Sequence, residues 1–199
     1  LYPALRAMED AGQLLRGMFV EGMGPAQFAT RATVDALRVG TEGAGEAISG
    51  GACAVLAADD PACLYGAALP WPAPVEARQP VAGEALSRAA GLGASRPRRL
   101  SGALVVLVGG AAVLYAAPNL KSLVTFSADE GALRRAAQGL VAHERVRLKR
   151  EGPSAASRAK LVVENVNGRN ALDAPLADLL LEVGFVRLPN GLRLYVDPF

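Results

Sequence analysis

The sequence predicts an α+β chain: the end of a helix-and-hairpin module, then a β-barrel-like antiparallel sheet carrying a long helix and a terminal helix-hairpin. Three observations lead there. Apolar residues recur at three- and four-residue steps in "LYPALRAMED" and in "EGALRRAAQGLVAHERVRLKRE", the period of a helix with one buried stripe. Short β-branched and aromatic runs, "ALVVLV", "AVLYA" and "KSLVTF", lie between glycine pairs and prolines, as strands do. Gly109-Gly110, Asn167-Gly168 and Asn190-Gly191 are two-residue signals for tight hairpins.

In chain order, the first helix starts near Tyr2, because Pro3 fits only a first turn. Leu1, Leu5, Met8 and Ala11 or Gly12 share one side of it, Arg6, Glu9 and Asp10 lie on the other, and Gly12 is a stop signal. Leu14 to Val20 alternates weakly as a strand, Gly22 to Pro25 turns the chain, and "AQFA" returns it. A helix closed by glycine and followed by a hairpin is the tail of a winged helix, recognition helix then wing, so two earlier helices are expected upstream. Thr30 or Thr33 caps a short helix, "RATVDALRVG", ending at Gly40.

Residues 1–40 are thus the end of a winged-helix module, and 41–72 a connecting segment. Within the latter, Thr41 to Gly51 is a flexible connector, Cys53 to Ala57 one buried strand, and an Asp-Asp-Pro turn leads to a compact piece ending at Trp71 and Pro72. Residues 73–99 lose periodicity and gain Pro, Gly, Ala and Arg, which predicts a mobile linker. Residues 100–199 form the β-barrel-like α+β domain. There, Ser127 with Glu130 reads as a capping box opening the long helix, whose buried face is Leu133, Ala137, Leu140 and Val141 and whose end lies near Lys149 to Gly152. "AKLVVENVNGRNAL" is a strand and a turn, Asp173 and Pro175 open a helix stopped by Gly184, and "FVRLPNGLRLYV" is a last hairpin turning at Asn190-Gly191.

Composition sets limits. At 199 residues and 51% hydrophobic, the chain buries one or two cores and is not disordered. A net charge of +2 is too mild to imply nucleic acid by itself, so that case rests on where the arginines sit. Two cysteines, Cys53 and Cys63, and the single His143 fall short of a zinc site and read as groups of a reducing, cytoplasmic compartment. The uncharged run from Gly102 to Leu120 is long enough to span a bilayer, but the same letters read as two strands around Gly109-Gly110, and no membrane partner is expected. No GxxxxGK[ST] phosphate loop occurs, so the chain is expected to bind no cofactor and to hydrolyse no ATP.

The candidate DNA contacts are Arg6 on the first helix, Arg16 at the base of the wing, Arg31 and Arg38 on the next helix, Arg98 and Arg99 beside Arg96 as a flexible arm, and Lys149 and Arg150 in a group with Arg145, Arg147, Arg158 and Lys160. Each has a plainer reading as a solvated surface cation or, for the last group, as complement to a helix C-terminus. Trp71, Tyr65 and Tyr115 are stacking platforms or packing plugs. Asp59, Asp60 and Asp197 are the candidate acids for base excision, each also a simple turn or end residue. His143 and Glu144 are helix neighbours that point apart.

Together "LYPALRAMEDAGQLLRGMFVEGMGPAQFA", "LAADDPACLYGAALPWP", "SGALVVLVGGAAVLYAAPNLKSLVTF" and "PLADLLLEVGFVRLPNGLRL" resemble the C-terminal region of the Lhr-type large helicase-related proteins, superfamily 2 DNA helicases of bacteria, actinobacteria especially. The resemblance implies winged-helix modules and a β-barrel in an ATP-driven DNA repair helicase whose motor, with its ATP and Mg²⁺, lies elsewhere in the parent. It implies as partners DNA, single-stranded in preference to duplex, the rest of the parent helicase, and in one reading a second copy of the chain. It also implies likeness to winged-helix glycosylases, yet the glutamine pair spaced by one residue that marks those enzymes is absent: Gln13, Gln27, Gln79 and Gln138 are isolated.

Overall fold

In the computed structural model, which describes residues 1–42, 51–75 and 96–196, the uncharged run around Gly109-Gly110 forms the heart of a sheet. Strand β4 (Leu104–Val108) turns into β5 (Ala111–Ala116) through Gly109 and Gly110, whose φ angles of 56° and 81° are the left-handed values a two-residue hairpin needs. Both strands are buried on both faces. Leu104, Val106 and Val108 join a core with Ala137, Leu140 and Val141, whereas Ala103 and Val105 join Cys63, Tyr115, Val124 and Phe126. A strand with two buried faces needs no polar alternation, which explains the run without a bilayer. Among the described residues no helix is long and apolar enough to cross a membrane.

The remaining strands are β1 (Leu15–Gly17), β2 (Gln27–Ala29), β3 (Cys53–Ala57), β6 (Ser122–Thr125), β7 (Leu161–Val163), β8 (Asn165–Val166), β9 (Arg169–Asn170), β10 (Phe185–Leu188) and β11 (Gly191–Leu194). They form three sheets: β1-β2, β10-β11-β7, and a six-stranded β3-β4-β5-β6-β8-β9. The expected barrel-like closure is not seen, since β3 and β9 are the two edges of an open sheet among the described residues, and β8 joins β6 in parallel rather than antiparallel. Only Glu164 separates β7 from β8, so the chain passes from one sheet to the other within a residue. A bulge at Val106/Leu107 leaves Val113 as the extra residue, which puts Val113 and Leu114 both on the helix side.

The helices are α1 (Tyr2–Asp10), α2 (Arg31–Glu42), α3 (Glu130–Glu151), α4 (Pro153–Arg158) and α5 (Ala177–Glu182). The long helix α3 covers one face of the six-stranded sheet through Ala136, Ala137, Leu140 and Val141. Its cap is Asp129, whose carboxylate accepts from Ala132 N at 2.6 Å, while Ser127 only accepts from Asp129 N. The capping-box expectation placed the cap two residues early because Asp129 competes for the same orphan amides with a charged acceptor. The opposite face of the sheet is covered by the chain from Ala58 to Trp71. Gly66, at φ 72°, lets the Trp71 indole lie directly on the backbone; any Cβ there would strike its Nε1.

Further departures have local reasons. β3 is an edge strand whose first two residues are exposed and the other three half-buried, not a buried strand, and as part of the sheet it belongs to the unit Ile48–Phe199. Helix α2 runs through Gly40 to Glu42, because one glycine inside a helix costs only about 1 kcal/mol. Its cap is Thr30, which accepts from Thr33 N. The last hairpin turns at Pro189-Asn190, because Leu188 pairs with Gly191; at Gly191, in β11, a Cβ would run into the Val163 carbonyl, so the glycine serves a close approach and not the turn. Most of the predicted 73–99 linker, residues 76–95, lies outside the described residues, as does Asp197.

The unit Leu1–Ala47 holds α1, the β1-β2 hairpin and α2. Its wing is closed by Gln27, whose amide accepts from Phe19 N and Val20 N and donates to the Val20 and Gly24 carbonyls, all four contacts within 3.0 Å. One side chain thereby satisfies a turn that has few bonds of its own. Tyr2 meets Phe28 edge to face at 6.0 Å, docking α1 on the hairpin.

Candidate nucleic-acid interface

The first unit assembles its cations by simple periodicities. Tyr2 and Arg6 are four apart on α1 and share a stripe, and Phe28 and Arg16 are cross-strand partners that share a sheet face. The Tyr2–Phe28 contact joins that stripe to that face, so Arg6 and Arg16 lie on the same side of the unit. Arg31 and Arg38 are two turns apart on α2. Arg6, Arg16 and Arg31 are exposed and have no charge or hydrogen-bond partner among the described residues. Arg38 is held loosely by Asp35 at 3.8 Å. Exposed apolar groups belong to the same unit, Met18 at 76% and Tyr2 at 47%, and so do the exposed acids Asp10, Glu21 and Asp35. Exposed arginines without a partner are the groups that can make phosphate contacts, which position a strand without reading its bases.

The second unit uses many of its cations internally. Arg99, expected on a mobile arm, is half-buried and donates to the carbonyls of Asp59, Asp60, Cys63 and Tyr65. It organises the loop that covers the sheet, since four converging carbonyls need a donor with several N–H groups and a fixed geometry. Arg98 is exposed; its carbonyl accepts from the Tyr115 hydroxyl at 3.1 Å. Burial raises the Tyr115 phenol above its ordinary range, partly offset by this bond. Trp71 stacks on Tyr65 and Phe126 and meets Tyr115 edge on, so it is a packing residue.

Lys149 and Arg150 are exposed on the last turn of α3 without partners among the described residues, consistent with either reading of that group. Their neighbour Arg147 is engaged: its Nε and Nη2 donate to Glu144 at 3.1 and 2.7 Å, and its Nη1 to Glu151 at 2.8 Å. Its pKa lies above the ordinary arginine range, mainly through the Glu144 hydrogen bonds.

Sequence reasoning missed Glu144 as a buried charge. Its side chain is 4% exposed and lines a cleft of about 400 Å³ with Ser101, Pro118, Asn119 and Leu120. Contrary to expectation His143 does reach it, Nδ1 to Oε1 at 3.4 Å, though Arg147 holds it far more closely. The signal available was the i, i+3 spacing of Glu144 and Arg147. Because the carboxylate is already taken by a guanidinium, the cleft offers a paired charge rather than a free acid or base. Asn119 and Leu120, both at left-handed φ (57° and 60°), form its rim. Of the expected acids, Asp59 is exposed, and Asp60 accepts from Ala62 N as a turn residue. The described residues contain no His/Cys/Asp/Glu group able to hold a metal ion.

A helix, a glycine stop and a glutamine-braced hairpin with unpaired arginines on one side define a winged-helix type of module, followed by an α+β unit. Residues 1–47 match the winged-helix domain of the large helicase-related proteins. The chain is 39% identical over 201 residues to a Mycolicibacterium smegmatis protein named Lhr helicase/probable uracil glycosylase, covering 98% of this chain and 12% of that protein. It is 35% identical over 187 residues to the Escherichia coli Lhr helicase/uracil glycosylase, covering 94% of this chain and 10% of that protein. The chain belongs to the Lhr-type large helicase-related family and spans about a tenth of the length of these relatives.

Proposed function

We propose that this chain is a non-motor, C-terminal accessory region of an Lhr-type repair helicase, holding DNA for an ATP- and Mg²⁺-dependent motor located elsewhere in the parent. The observation that carries this reading is the set of unpartnered cations Arg6, Arg16 and Arg31 on a unit that matches the family's winged helix. Arg38, Arg98, Lys149 and Arg150 are secondary contacts, while Arg99 acts within the fold. Binding favours single-stranded over duplex DNA. The test is a fluorescence-anisotropy titration with labelled single-stranded and duplex DNA at about 50 and 200 mM salt, the range over which phosphate-dominated binding collapses. Binding that falls steeply with salt supports the reading; no binding at either salt removes it and moves weight to an assembly role within the parent or between copies.

A second reading is base excision. Both relatives carry uracil glycosylase in their names, and each aligns with nearly all of this chain. Incubating the chain with uracil-containing DNA, then cleaving with alkali, yields strand breaks at uracil if this region takes part in that chemistry on its own. Intact strands would exclude that.

A further inference from the structure

The outer face of the three-stranded sheet carries a feature that the DNA-holding reading does not use. In β11, Leu192 and Leu194 are buried in the core, so Arg193 between them and Tyr195, the residue just after the strand, point outward. Arg193 pairs with Val186 on one side and with Val162 on the other, which makes one row across the sheet. Continuing that register sets Lys160 opposite Tyr195. Tyr195 is 51% exposed and Val186 49%, so the row faces solvent.

The Arg193 guanidinium carbon lies 4.5 Å from the centre of the Tyr195 ring. Its Nε is buried without an acceptor among the described residues. Arg134, Arg147 and Arg187 each rest on a carboxylate, whereas among the described residues Arg193 rests on a ring alone. No described carboxylate compensates its positive charge, and it lies against an exposed aromatic ring.

We propose that this face is a stacking platform for an unstacked base of single-stranded DNA, with Tyr195 as the ring, and with Arg193 and Lys160 as the flanking cations for the backbone. A base in a duplex hides its faces, so such a platform distinguishes strands by their accessibility and not by their sequence. The inference rests on the DNA-holding reading and adds a second, chemically different contact to it.

The test uses the whole chain with a single strand carrying one 2-aminopurine, and with a duplex of matched length. The variants Tyr195→Ala and Tyr195→Phe are read beside the parent chain, each first checked for an unchanged melting curve. Tyr195→Ala is expected to weaken single-strand binding roughly tenfold and to abolish 2-aminopurine quenching, with duplex binding unchanged. Tyr195→Phe, which keeps the ring, retains both. If the parent chain binds DNA but Tyr195→Ala keeps its single-strand affinity and quenching, or loses affinity for both DNA forms alike, the platform is overturned while the DNA-holding reading stands. If the parent chain binds neither DNA, both fall together.

Discussion

The two units of this chain treat the same residue types in opposite ways. In Ile48–Phe199 a strand pair is buried on both faces, Arg99, Arg134, Arg147 and Arg187 are bound to carbonyls or carboxylates, and a helix caps one face of the sheet. In Leu1–Ala47, α1 has no buried residue, Val34 is the one buried hydrophobic among the described residues, and three arginines have no partner there. On the DNA-holding reading, a candidate surface is therefore marked by whether each arginine is already satisfied and not by the number of arginines. The first unit leaves both apolar area and charge available, which is what a contact surface needs and what a self-contained core avoids.

The sharpest way to break this contrast is to mutate equivalent apolar residues in the two units. Leu140 has no solvent exposure and sits between α3 and the sheet, so Leu140→Ala is expected to cost about 2–5 kcal/mol. Val39, 72% exposed on α2, loses little by Val39→Ala, within about 0.5 kcal/mol. Urea unfolding of both variants checks the pair. Comparable losses would mean that the first unit has a core of its own.

Next in size is the charge contrast. Reversing Arg6, Arg16 and Arg31 to Glu together is expected to weaken single-strand binding by at least about tenfold. It should also flatten the plot of log affinity against log salt by about 2, three contacts at about 0.7 each. Reversing Arg134, which lies on Glu130 and Glu182, should leave that slope unchanged. Equal effects from both sets would show that bulk charge, and not unpartnered charge, governs binding.

Much of this fold could be read from the letters because it rests on local signals: the glycine pair at 109–110, the Asn167-Gly168 turn, the period of α3 and its Gly152 stop all act over a few residues. What escaped was set by distant partners. Nothing near Cys53 announces that β3 lies at an edge, and the parallel pairing of β6 with β8 depends on a chain crossing at Glu164. The site divides in the same way. The exposure of Arg6, Arg16 and Arg31 is legible because exposure on a short amphipathic element is a local property. Arg99 was misjudged because its partners lie between 34 and 40 residues away.

That misjudged arginine supplies the third test. Arg99→Ala removes the donor shared by four carbonyls of the loop covering the sheet, and is expected to destabilise the second unit by on the order of 1–3 kcal/mol. DNA affinity at 50 mM salt should stay within about twofold of the parent, since one neutralised phosphate contact is the most it would otherwise supply. A clear fall in affinity without a fall in stability would return Arg99 to the DNA surface.

The smallest effect concerns Tyr115, where the interior of the second unit meets Arg98. Its phenol is raised above the ordinary value near 10 by burial, while its hydroxyl donates to the Arg98 carbonyl. With the folded pKa above the unfolded one, the unfolded chain loses this proton first, so it binds fewer protons than the folded chain once pH passes about 10. The contribution of Tyr115 is thus complete below that pH and is lost as pH rises toward the folded value. Tyr115→Phe removes one hydrogen bond, a cost of about 1 kcal/mol at neutral pH, and removes this titration with it. Denaturation midpoints of the two proteins measured from pH 8 to 11 should therefore converge at the alkaline end. Curves that remain parallel would mean that the phenol titrates alike in both states, and curves that coincide throughout would mean that the ring packed against Trp71 stabilises the fold through its apolar contacts and not through its hydroxyl.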